Sequence, residues 1–249
     1  MQISATGKTA VVPSVAATAY DRVFYSGMAI ALAVTVFAGF ARTYFVPLAR
    51  SAANTAALPG LVHLHGALFS GWLLLFIAQT ALVAGGRVAV HRRLGLLGVL
   101  LAAAMVGVGT ATTINAAARG SSPPGVDPLV FMAVPLFDMF TFPGFVTAAV
   151  ALRRSPEAHK RLMLLATISL AAAGVARLSI MKHAGLITVF ATAYLFLAAA
   201  VIYDLATRRR VHPVYIWGGL LLVASVPLRL FVSGTGAWRS LAQFLTGAG

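Results

Sequence analysis

The chain has 249 residues, 60% of them hydrophobic and 10% charged, with a mean hydropathy of +0.91. A soluble domain carries about a quarter charged residues, so the composition excludes one and points to an integral membrane protein. The absence of cysteine excludes disulfides, thiolate metal sites, iron–sulfur clusters and cysteine nucleophiles. The net charge of +14 sits mostly in short clusters between apolar spans, where it orients the chain and meets anionic lipid instead of nucleic acid.

Residues 1–21 are small and polar and read as an N-terminal cytoplasmic tail, not a cleavable signal. Apolar runs of about 20 residues mark transmembrane helices. Seven are expected, at 22–45, 60–84, 92–118, 129–152, 160–182, 185–206 and 213–233, followed by a short extracytoplasmic segment at 234–249. The fold class is therefore all-α, a polytopic bundle in one domain over 22–233.

The side of the N-terminus collects 12 Lys and Arg residues, including the clusters at 87–93, 153–161 and 208–210. The other side has 7: Arg42, Arg50, Arg119, Arg177, Lys182, Arg229 and Arg239. The positive-inside rule puts the N-terminus in the cytoplasm, and the expected location is the inner membrane of a bacterium.

The second span opens with His-Leu-His. An α-helix turns by about 100° per residue, so His63 and His65 point in nearly opposite directions. Steps of four and three from His65 reach Phe69, Trp72, Phe76 and Gln79, a face that starts with an imidazole and ends with an amide. The face of His63 carries Ala67, Ser70 and Leu74 and looks bland.

The third span begins "VHRRLGLLGVLLAAAMVG" and the fifth "AHKRLMLLATISLAAAGV". The offset of two helices suggests a duplicated hairpin and makes His91 and His159 equivalent positions. In the fourth span Asp138 lies near mid-membrane, flanked by Pro135 and Pro143, which loosen a helix. A lone carboxylate at that depth needs a partner. Arg177 is the expected one, with Gln79, Asn115 and His65 nearby. His183 and His212 fall in loops and read as solvated.

Two histidines at one depth on separate helices suit axial ligation of a b-type haem. His91 and His159 meet that description with His65 as a third candidate ligand, while Trp72, Arg92 and Arg161 would line the cofactor or pair with its propionates. The competing reading is that His91 and His159 are ordinary helix-start residues in a basic loop. No Walker loop, His-Glu-x-x-His or Gly-x-Ser-x-Gly motif is present. The last span lacks the lysine of a retinal protein, and five acidic residues are too few for carboxylate metal cages.

The run "HGALFSGWLLLFIAQTALVAGGRVAVHRRLG", with "EAHKRLMLLATISL" and "RLSI", resembles a group of uncharacterised bacterial multi-pass membrane proteins. It is more loosely similar to transmembrane b-type cytochromes and ferric-reductase-like proteins, and that likeness implies haem ligation at His65, His91 and His159. Three functions follow as expectations. The first is haem b binding for electron transfer. The second is small-molecule or proton-coupled transport at a buried Asp/Arg/His site, and the third a lipid-interacting or assembly scaffold. The expected partners are membrane lipids, a redox partner or small-molecule ligand, and a second copy of the chain.

Overall fold

The computed structural model describes residues 15–50 and 58–247, with side chains from residue 19 onward. Residues 1–14 of the expected tail lie outside this range, and the chain is already helical at Val15. Helix α1 (Val15–Phe40) runs on through a π-helical turn (Ala41–Phe45) into a last α turn (Val46–Ala49). Then follow α2 (Gly60–Ala84) and α3 (Val88–Ala118). A single turn (Pro128–Phe131), capped by the Asp127 carboxylate, leads into α4 (Ala133–Ala151). Helix α5 (Pro156–Ser169) continues as a short piece (Ala171–Val175). Two further pieces (Leu186–Ala193 and Leu195–Arg208) make α6, and α7 (Pro213–Ser233) and α8 (Gly236–Thr246) complete the chain.

Among the described residues six helices are long and apolar enough to cross a membrane, at 19–49, 60–84, 88–118, 128–151, 186–208 and 213–233. The run expected as a span at 160–182 is not one of them. It folds as α5, which breaks at Leu170 and ends at Val175, and Glu157, Lys160 and Arg161 dilute its apolar character.

Helix α5 is nevertheless the centre of the bundle. Leu162, Leu164, Leu165, Ala166 and Ile168 are all 0% exposed, so every face of the helix is covered. Hairpins α2–α3 and α4–α5 each pack antiparallel, with α1 against α2 and α5, and α7 against α4 and α5. The other helices expose leucine, valine and isoleucine outward, for example Leu96, Leu97, Leu100, Leu220 and Val223. A soluble core would be inverted in this respect, whereas hydrocarbon is a good solvent for such a surface.

The expected extracytoplasmic segment is largely helix. Trp238 and Ala242 of α8 are buried, and Trp238 Nε1 donates to the Leu129 carbonyl at 2.8 Å. Leu241, Phe244 and Leu245 are exposed along one flank, with Arg239, Ser240 and Gln243 along the other.

Candidate functional site: a histidine pair at the basic end

Three basic clusters and the starts of α3 and α5 gather at one end of the bundle. There His91 and His159 lie side by side, ring centroids 6.2 Å apart and planes at 83°. Each histidine occupies the first turns of the second helix in its hairpin, and each reaches back to the end of the first. His159 Nδ1 lies 2.8 Å from the Ala149 carbonyl. A carbonyl only accepts, so this nitrogen carries the proton and Nε2 keeps its lone pair. The Gln79 amide, with its nitrogen toward α3, donates to His91 Nδ1 at 2.7 Å, and its oxygen accepts from Gly95 N at 3.2 Å. That arrangement leaves the proton on His91 Nε2. Turning the amide end for end would let its oxygen accept from Nδ1–H and move the lone pair to Nε2, but it would set that oxygen against the His91 carbonyl and the amide nitrogen against Gly95 N–H.

Imidazole ligands are oriented in this way in metal sites, with the second ring nitrogen fixed by a carbonyl or other polar group. The pair therefore fits an imidazole-ligated group: His159 in the tautomer present, and His91 after the Gln79 turn. Arg92 and Arg93 beside it are exposed and free to meet anionic substituents.

The remaining expected cofactor residues do not join this pair. His65 lies 14 positions before Gln79 on α2, about 21 Å away along the axis at 1.5 Å per residue, so it cannot serve the same group. Trp72 is buried, meets Phe142 edge-on at 4.9 Å and donates to Thr167 Oγ1 at 3.3 Å; packing accounts for it. Arg161 is 0% exposed and fully committed. Its Nε donates to Asp204 Oδ2 at 3.0 Å, its Nη2 to Asp204 Oδ1, and its Nη1 to Glu157 Oε2 at 2.7 Å.

Arg161 anchors a charge network that was not expected from the sequence. Asp21 of α1 takes Lys160 and Arg208 at 2.7 Å each, and Tyr203 donates to it at 2.7 Å. Asp204 also receives the His212 backbone N–H at 3.1 Å, while His212 Nδ1 accepts from Val214 N at 3.2 Å and caps α7. His212 is thus a structural residue, contrary to its reading as a solvated loop residue. The spacing signals were present: Glu157–Arg161 and Asp204–Arg208 are both i,i+4 pairs.

The buried charged site also differs from expectation. Asp138 pairs with Arg229 of α7, Oδ1 to Nη1 at 2.9 Å, and not with Arg177. Arg229 is 1% exposed and spends its other donors on Val134 O, Ser225 O and Ser225 Oγ. Arg177 instead lies exposed at the end of α5, over the Phe40 ring at 4.3 Å. Gln79 belongs to His91, and Asn115 is exposed near the end of α3. The face of His63 is not bland, since its Nδ1 lies 2.9 Å from the Tyr44 hydroxyl.

Among the described residues no group of three or more His, Cys, Asp or Glu is arranged to hold a metal ion. No family model matches the chain, and no curated protein or solved structure matches it.

Proposed function

We propose that this protein crosses the bacterial inner membrane seven times, N-terminus in the cytoplasm, and binds haem b between His91 and His159 for electron transfer. The observation that carries the reading is the His91–His159 contact itself, in which each Nδ1 is engaged by the end of the preceding helix. His91 and His159 would hold the group, which would supply one-electron transfer. The chain's own residues orient the rings through Gln79 and Ala149 O and offer Arg92 and Arg93 to the propionates.

The seventh crossing is supported by α5's contacts at both ends of α1. Lys160 pairs with Asp21 near the start of α1, and Arg177 covers Phe40 near its end. On α1 those two contacts lie 19 helical residues apart, about 28 Å at 1.5 Å per residue, close to the hydrocarbon thickness. The basic clusters support a cytoplasmic N-terminus. The exposed apolar flank of α8, next to the end of α7, suits a helix lying in the opposite interface.

A second reading, transport or binding of a small molecule, draws on Asp138. Its Oδ1 takes Arg229, while its Oδ2 has no hydrogen-bond partner among the described residues.

The test is purification after expression with ample haem, followed by a pyridine-haemochrome assay. The haem reading expects about one haem per chain; protein free of haem would sink it. In that event Asp138→Asn, which leaves haem untouched on the first reading, becomes the discriminating variant for the second.

A further inference from the structure

At the end of the bundle opposite the histidine pair, Arg42 and Arg177 have no carboxylate partner among the described residues. Helices α1 and α5 meet there backbone to backbone. A Cβ on Gly39 would lie 2.0 Å from the Gly174 carbonyl oxygen, and one on Gly174 would lie 2.6 Å from Val36 Cα. Only glycine allows that crossing. It delivers the π-helical turn of α1 onto the end of α5, a distortion often found at functional sites.

Polar side chains of α1, α2 and the end of α5 lie at this crossing. Arg42 Nη1 donates to Ser179 Oγ at 3.0 Å. Arg177 lies over the Phe40 ring at 4.3 Å, and the only hydrogen bond it makes among the described residues goes from Nη1 to the Ala173 carbonyl. Tyr44 bridges to His63 on α2. The Tyr44 ring also lies against Gly66, where a Cβ would come within 3.2 Å of it, and the neighbouring His65 stacks on Phe69 at 4.1 Å with its Nδ1 buried and unbonded. A buried polar nitrogen without a partner costs about 1–3 kcal/mol and calls for an explanation.

The acidic residues cannot supply it. The sequence has five, and each is engaged elsewhere: Asp21, Glu157 and Asp204 in the basic-end network, Asp138 with Arg229, and Asp127 with the N–H groups of Leu129 and Val130. Arg42 and Arg177 thus present unspent guanidinium donors, a geometry that suits bidentate recognition of phosphate.

We propose that Arg42, Arg177 and His65 form an anion site for a phosphate group, carried by an anionic phospholipid or free in solution. The guanidiniums clamp the phosphate oxygens, and the His65 ring donates Nδ1–H to the same group. The site is independent of the His91–His159 reading.

The test uses the full chain in neutral detergent and follows its Tm with added phosphatidylglycerol, phosphatidylcholine or inorganic phosphate, against sodium chloride at equal ionic strength. Phosphatidylglycerol at about 100 times its Kd is expected to raise Tm by roughly 5 °C, with phosphatidylcholine inert. Inorganic phosphate acting equally well would identify a free-anion site, and phosphate without effect a lipid site; either supports the proposal. Arg177→Gln and, separately, Arg42→Gln should each remove most of the shift, while Arg153→Gln at the basic end should leave it intact. Two variants guard against one that fails to fold. Neither anion raising Tm, or both Arg variants keeping the full shift, overturns the proposal.

Discussion

His159 Nδ1 lies 2.8 Å from the Ala149 carbonyl oxygen, which fixes its tautomer and leaves Nε2 with a lone pair, and its ring lies 6.2 Å from that of His91. His91 has the Gln79 amide in the equivalent role, and an amide can present either an acceptor or a donor. The two rings are thus held by unequal partners. The carbonyl fixes one tautomer at His159, and the amide, in the orientation that satisfies its own partners, favours the opposite one at His91.

Gln79→Leu removes the group that orients His91. Haem affinity is expected to fall about 10- to 100-fold, the usual effect of losing such a partner, measured by titrating haem into the apoprotein. Gln79→Glu should restore it, because a carboxylate accepts from Nδ1–H whichever way it turns. Unchanged affinity in Gln79→Leu would mean that the amide does not orient a ligand.

The Asp138–Arg229 pair is buried with Arg229's donors satisfied, so its two halves depend on each other. Arg229→Leu alone should cost about 3–5 kcal/mol, whereas Asp138→Leu with Arg229→Leu should recover most of that loss. Arg177→Leu should not couple to Asp138 at all. Denaturation of the purified variants in mixed micelles, read as a double-mutant cycle, checks both statements. Coupling between positions 138 and 177 would contradict the observed pairing.

Arg161 and Asp204, both 0% exposed, tie α5 to α6. Asp204→Asn is expected to destabilise by about 3–5 kcal/mol while leaving the haem content of the folded fraction unchanged. Parallel stability and haemochrome measurements separate this structural role from a propionate-binding one, which would lower haem content first.

Acid should weaken the basic end in two stages. Burial pushes His212 below its ordinary value of 6.5, and the nearby Arg161 pushes the same way. A group whose folded pKa is lowered contributes stability above its unfolded value and loses it as pH falls. Protonation also removes the Nδ1 acceptor that caps α7. Burial alone would raise Glu157, but hydrogen bonds from Lys160 and Arg161 prevail and hold it below 4.5, so its contribution fades at more acidic pH. Thermal stability in detergent should therefore decline from about pH 6.5 downward and again below about 4.5. His212→Asn keeps a capping side chain and should flatten the upper stage. A stability maximum in the acid range would contradict this assignment.

Helix positions were legible in the sequence because apolar length and short polar connections carry that information directly. The equivalence of His91 and His159 was legible too, through the repeated His-basic-Arg-Leu starts, and the structure brings those two residues into contact. The partner of Asp138 was not legible, because depth along a helix does not say which helices are neighbours. Arg177 and Arg229 lie at comparable depth, and only the packing of α7 against α4 selects Arg229. Nor could depth reveal that Arg161 is buried. Its i,i+4 link to Glu157 was readable, but the link to Asp204 depends on α6 folding back beside α5. The span expected at 160–182 shows the converse, a helix so well covered by protein that it tolerates charge and a break.

The most direct measurement is the absorption spectrum of the purified protein and of three single variants, after expression with ample haem. Haem binding by His91 and His159 predicts a Soret band of a six-coordinate b-type haem in the wild type and in His65→Ala, and its loss in His91→Ala and His159→Ala. A wild-type spectrum without a Soret band, or one that survives both His91→Ala and His159→Ala, would contradict it.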